Sequence, residues 1–236
     1  MKKIKKAIAA LLSTTCLMSN MASMSTTAAY RPNDAVNYAY TYCGCWRWFG
    51  SRQYFYGYNS NYFVHNSDCT NFVSQCMYAG GVKMEGQNTF ETRVVNFFKN
   101  GCVSYSSDDW FYIDRSSNNS KDAYSSTWTR VAKDKYDPNP GLKEYVTTID
   151  SLFSRPGFNV TSAISHNGKN VYNNVIVGDI IMFSNDNGKS FYHSAIVTKK
   201  DNKDFYYTAH TNDVVDKAGS LAACPDKAII IIRPRD

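Results

Sequence analysis

GDIIMFSNDNGKSFYHSAIVTKKDNKDFYYTAH, residues 178–210, decides the fold. Three runs rich in β-branched and aromatic residues stand at 180–183, 193–198 and 205–210. Asn185-Asp186-Asn187-Gly188 separates the first pair, and Asp201-Asn202 the second. Runs of this kind, bounded by turn-forming residues, predict antiparallel strands joined by hairpins. Val175-Ile176-Val177 and the run 228–233 extend the same pattern on either side.

Upstream the periodicity is helical. Pro32, Asn33 and Asp34 open a short amphipathic helix over 30–42, with Ala35, Tyr38, Ala39 and Tyr42 on one face. A second helix starts at Asp68-Cys69: Asp68 is a good N-cap, and Phe72, Val73, Cys76 and Met77 share an apolar face. Gly80-Gly81 ends it. A further helix is expected after Pro140-Gly141, through Leu142, Tyr145, Val146, Ile149 and Phe153, and another near 90–99. The aromatic stretch between Cys43 and Phe63 has no clean period and reads as a loop, as does the polar run 116–126. Helices first and an antiparallel sheet second make an α+β domain. It spans residues 30–236 as one unit, without internal repeats.

Residues 1–29 read as a secretory signal peptide. Lys2, Lys3, Lys5 and Lys6 form its basic end, a short apolar stretch follows, and Thr27-Ala28-Ala29 suits cleavage. Losing those four lysines lowers the formal net charge from +6 to +2. No dense basic stripe remains to suggest nucleic acid. The expected location is secreted or cell-wall associated, with no membrane span after signal removal.

Six cysteines remain: Cys43, Cys45, Cys69, Cys76, Cys102 and Cys224. Cys69, in the first turn of a helix, feels the positive end of the dipole, which favours the nucleophilic thiolate. Cys76 falls on the inward face and reads as packing. Cys43, Cys45, Cys102 and Cys224 are left for at most two disulfides, in any of three connectivities. Cys43-Gly44-Cys45 is not a zinc spacing, and no metal or cofactor is expected.

A cysteine hydrolase needs a base beside its thiol and a polar group to orient that base. Of the four histidines, His193 opens one strand and His210 closes the next, so both lie at one edge of a hairpin. His193 is the candidate base and His210 its orienting partner, with Asn212 and Asp213 as rivals. His65 and His166 stand in loops. Trp46 and Trp48, in the aromatic stretch, could stack on sugar rings and line a groove before Cys69, or simply cover the core.

The run Asp68-Cys69-Thr70-Asn71-Phe72-Val73-Ser74-Gln75, followed by Gly80-Gly81, resembles the nucleophile motif of a putative amidase-domain family of bacteria. That family is related to the CHAP and NlpC-type papain-like enzymes that cut peptidoglycan. Residues 34–39, Trp110, Ser125-Ser126-Thr127-Trp128, Gly178-Asp179-Ile180-Ile181, residues 193–197 and Ala209-His210-Thr211 resemble further landmarks. The resemblance implies a papain-like fold, with N-terminal helices packed on a C-terminal antiparallel sheet. It implies Cys69 as nucleophile, His193 as base and His210 as third member. It also implies a secreted cysteine amidase or peptidase acting on peptidoglycan peptides. A silent binding protein on the same scaffold and a transglutaminase-like acyl transferase are the other readings. No nucleotide loop, zinc helix or serine elbow appears.

Overall fold

The computed structural model describes residues 29–86, 96–97, 103–105, 109–113, 122–147, 154–163, 168–219 and 228–235. The expected signal peptide, most of the expected 90–99 helix, His166, Cys102 and Cys224 lie outside them. Among the described residues no helix is long and apolar enough to cross a membrane.

Five helices are described: α1 (Pro32–Thr41), α2 (Cys69–Ala79), α3 (Ser126–Thr129), α4 (Leu142–Val146) and α5 (Gly168–Asn174). The main sheet has six antiparallel strands: β7 (Phe158–Ala163), β8 (Ile180–Ser184), β9 (His193–Lys200), β10 (Phe205–Ala209), β11 (Val214–Ala218) and β12 (Ala228–Pro234). Their order across the sheet is β11-β10-β9-β8-β12-β7. The α+β reading therefore holds, with hairpins β8–β9 and β9–β10 where the turn residues fall. Four short strands, β3 (Asn96–Phe97), β4 (Val103–Tyr105), β5 (Tyr112–Ile113) and β6 (Ala123–Ser125), form a second sheet.

Strand alternation divides the main sheet into two apolar faces. Ile180, Met182, Ile196, Ile230 and Ile232 meet Phe72, Val73, Cys76 and Met77 of α2 and Ala35, Val36 and Ala39 of α1. Ile181, Phe183, Ala195, Val197, Ile229 and Ile231 face the other way, with Val171 and Val175 over them. Both faces are covered, which is why these strands read as continuous apolar runs. Gly178 and Asp179 fix the entry to β8. Gly178 has φ +93, and a Cβ there would lie 2.5 Å from the Pro32 side chain. The buried Asp179 carboxylate takes two 2.8 Å bonds from Arg233 and one from the Ile176 N–H.

Several segments differ from the sequence expectation: Val175-Ile176-Val177, read with the strands, lies outside them, β3 stands within the 90–99 stretch expected as a helix, and β7 and β11 carry no expected strand signal. Within the aromatic stretch, β1 (Cys45–Phe49) and β2 (Arg52–Tyr56) pair as an antiparallel ribbon about a turn at Gly50-Ser51. Trp46 pairs with Phe55, the other aromatic residues face Arg, Gln or Cys across the ribbon, and neither strand alternates with a buried face, so no period marks it. The helix after Gly141 ends at Val146, and Thr147 bridges Ser154. Residues 123–126, expected in a surface loop, are buried in β6 and the start of α3. They place Trp128 with Trp110, ring centroids 4.6 Å apart, in the core against α2.

Candidate active site

Cys69 is the first residue of α2 and lines an open groove of about 830 Å³. Its other walls are Thr70, the segment Thr129 to Tyr136, and the β8–β9 turn through Asp186, Lys189, Ser190, Phe191 and Tyr192. Four cations, Arg130, Lys133, Lys135 and Lys189, stand there beside two carboxylates, Asp134 and Asp186. Hydrogen bonds from Ser190 and Ser184 hold the Asp186 carboxyl well below the usual range. The Tyr136 and Asp137 N–H groups lower that of Asp134. Both therefore stay ionised at neutral pH; with Asp137, which pairs with Arg130, they leave the groove with one net positive charge.

Asp68 stands at the N-cap position, yet its carboxylate makes no capping bond. It is 4 % exposed and turned the other way. Oδ1 accepts from the His65 N–H at 2.9 Å and from Asn71 Nδ2 at 2.8 Å, and Oδ2 lies 2.6 Å from His210 Nδ1. Asn71 also donates to the Phe63 carbonyl and accepts from Trp128 Nε1 at 2.8 Å. The Asp68 N–H donates to Thr211 Oγ1. With its cap residue committed elsewhere, the first turn of α2 keeps its N–H groups uncapped beside Cys69. Such a terminus favours a thiolate or any oxyanion formed there.

His210 is 1 % exposed and stacks on Phe72, with ring centroids 3.9 Å apart. Its Nε2 lies 2.6 Å from the Tyr42 carbonyl. A carbonyl can only accept, so Nε2 carries a proton. Both ring nitrogens of His210, expected to orient His193, are engaged by Asp68 and Tyr42. Of its rivals, Asp213 accepts from the Tyr58 hydroxyl. Asn212 contributes a left-handed turn, with φ 70.

His193 opens β9 directly after groove residues Phe191 and Tyr192. Its ring stacks on Phe183 at 5.6 Å, on the face that also carries Ala195 and Val197. The next residue, Ser194, faces α2, with its hydroxyl 3.2 Å from Thr70 Oγ1. His65 packs edge-on against Phe63 and Tyr124, and burial lowers its pKa. Cys76 is fully buried, and burial pushes its thiol well above the ordinary range.

Trp46 and Trp48 do not line the groove. They are 62 % and 69 % exposed on one face of the β1–β2 ribbon, where Trp46 contacts Phe55. No group of three or more metal-ligating side chains occurs among the described residues. Sequence reasoning missed Asp68 as the hub of the site and the Tyr42 carbonyl as its far anchor. Adjacency to Cys69 was the one signal for Asp68; a backbone carbonyl leaves none.

A family model described as a putative amidase domain matches residues 29–232. No curated protein and no solved structure matches the chain.

Proposed function

We propose, from the premise that this chain belongs to the putative amidase domain family, that it hydrolyses amides through a Cys69 thiolate. The observation that carries this reading is the position of Cys69, on the uncapped first turn of α2 and in the wall of the groove. The thiolate attacks the amide carbonyl, and the first-turn N–H groups receive the oxyanion. A protonated base hands its proton to the leaving amine and then activates water to release the acyl group. We assign the base to His193, which directly follows groove residues Phe191 and Tyr192. Its ring rests on Phe183, on the sheet face away from α2, so it must turn into the groove to reach Cys69. His210 acts at one remove: it holds the Asp68 carboxylate away from the helix terminus, so that the N–H groups stay available.

The substrate class we propose is the peptide part of peptidoglycan, met outside the cell after export. The excess of cations in the groove suits a peptide that carries carboxylates. The scaffold is read as papain-like and kin to the CHAP and NlpC-type enzymes. The test is incubation with purified peptidoglycan and mass spectrometry of the released fragments. New amine and carboxyl ends should appear with the wild-type protein and be absent with Cys69→Ala. Release at the wild-type rate by Cys69→Ala would overturn the assignment.

A further inference from the structure

Cys43 and Cys45 stand outside the groove, and the hydrolytic reading uses neither. Cys43 is completely buried, while Cys45 is partly exposed at the start of β1. Both thiols are free, and Cys43 Sγ lies 4.0 Å from the Cys45 carbonyl oxygen. In a strand, side chains two residues apart point the same way but stand roughly 7 Å apart at the backbone. Here Gly44 takes φ +66, which turns the chain between the two cysteines. The turn is tightly enclosed: a Cβ on Gly44 would lie 2.6 Å from the Tyr58 ring and 2.9 Å from the Asp213 carboxyl. Tyr58 in turn packs on His210, with ring centroids 4.4 Å apart. The residue before Cys43 is Tyr42, whose carbonyl holds His210 Nε2.

We propose that Cys43 and Cys45 close a disulfide across Gly44, and that this bond sets the Tyr42 carbonyl against His210. The oxidant is an organic disulfide of the kind found in oxidising compartments. The partly exposed Cys45 attacks it as thiolate and expels one thiol, leaving a mixed disulfide. Cys43 then attacks the Cys45 sulfur and expels the second thiol. One S–S bond forms in the protein and one is lost in the oxidant. The two protons leave on the two released thiols. Burial pushes the Cys45 thiol up to about 12, so exchange in the folded chain is slow and the bond belongs to folding. The pairing selects one of the connectivities that the sequence left open. It does not rest on the hydrolytic reading.

The experiment uses the full chain, refolded with oxidised glutathione and quenched with an alkylating reagent. The proteolytic fragment holding Cys43 and Cys45 should lack two hydrogens and take no label. After reduction it should take two. Two labels without reduction, or a crosslink from either residue to Cys102 or Cys224, would overturn the pairing. The link to the site is read separately, through the imidazole proton resonances of the four histidines, with His210 assigned from His210→Gln. Mild reduction and Cys43→Ser/Cys45→Ser should each shift the His210 resonance and lower the melting temperature by roughly 3–6 °C. A His210 resonance that ignores the redox state of the pair would overturn the coupling.

Discussion

His210 Nδ1 lies 2.6 Å from Asp68 Oδ2, with both side chains buried. That bond ties the end of β10 to the residue that opens α2. Asp68 could otherwise cap its own helix, as its residue type favours. Held by His210, Asn71 and the His65 N–H, it leaves the terminus uncapped where Cys69 stands. A cap, worth about 1 kcal/mol in an ordinary helix, is forgone at a terminus that faces the groove.

Asp68→Ala should therefore destabilise the fold well beyond the loss of a surface pair. It leaves His210 Nδ1 buried without its hydrogen-bond partner. Removing one member of a buried pair costs about 3–5 kcal/mol. The double variant Asp68→Ala/His210→Phe should be less unstable than the two single losses summed. Urea denaturation of the four proteins measures the coupling. Strict additivity would mean that the contact carries no energy.

The His65 shift makes a prediction in pH. Burial, the larger cause, lowers its pKa, and the charge of Asp68 partly opposes that. The folded value thus lies below the unfolded one of about 6.5. Above that pH the ring is neutral in both states and its contribution is fully present. As pH falls below it, the unfolded chain takes the proton first, and stability drops by up to about 1.4 kcal/mol per pH unit until the folded value is reached. Denaturation at pH 7 and pH 5.5 should show a larger acid loss in wild type than in His65→Phe. Equal losses would rule out His65 as the source.

Thiol reactivity should separate two cysteines seven residues apart. Cys69, 4 % exposed, reaches the groove at the helix start, while Cys76 is fully buried with its thiol pushed up by burial. Iodoacetamide near neutral pH should alkylate Cys69 in the folded protein and reach Cys76 only after unfolding. His193→Ala should slow the Cys69 reaction severalfold if His193 favours the thiolate. Peptide mapping over time reads both rates. Comparable labelling of Cys69 and Cys76 in the folded protein would contradict the placement of the two thiols.

Strands β8, β9, β10 and β12 were legible because each carries its own signal, whereas β7 and β11, with the mixed runs FNVTSA and VVDKA, were not. The runs at 180–183 and 205–209 are apolar or aromatic, and the turns between strands use Asn, Asp and Gly. The helix at Cys69 was legible from its apolar face and its Gly80-Gly81 stop. What the sequence hid is chiefly tertiary. Asp68 reads as a cap because the rule is local, whereas its partner His210 is 142 residues away. His193 and His210 end neighbouring strands, but alternation carries their rings to opposite faces of the sheet, with Phe183 and Phe72 respectively. The β1–β2 ribbon was invisible for a different reason: no buried face imposes a period of two on it.

That exposed ribbon supports the last prediction. Trp46 and Trp48 share one face with Phe55, and no residue of β1 or β2 lines the groove. Replacing both tryptophans by alanine should leave stability within about 0.5 kcal/mol, as for most exposed positions. It should also leave turnover of a small soluble amide unchanged. If the face stacks on the sugar rings of a glycan strand, retention on insoluble peptidoglycan and the rate on that polymer should fall together. A pull-down paired with the two assays distinguishes these outcomes. Unchanged retention would assign the tryptophans no part in wall binding, and slower turnover of the small amide would place them closer to Cys69 than the groove lining puts them.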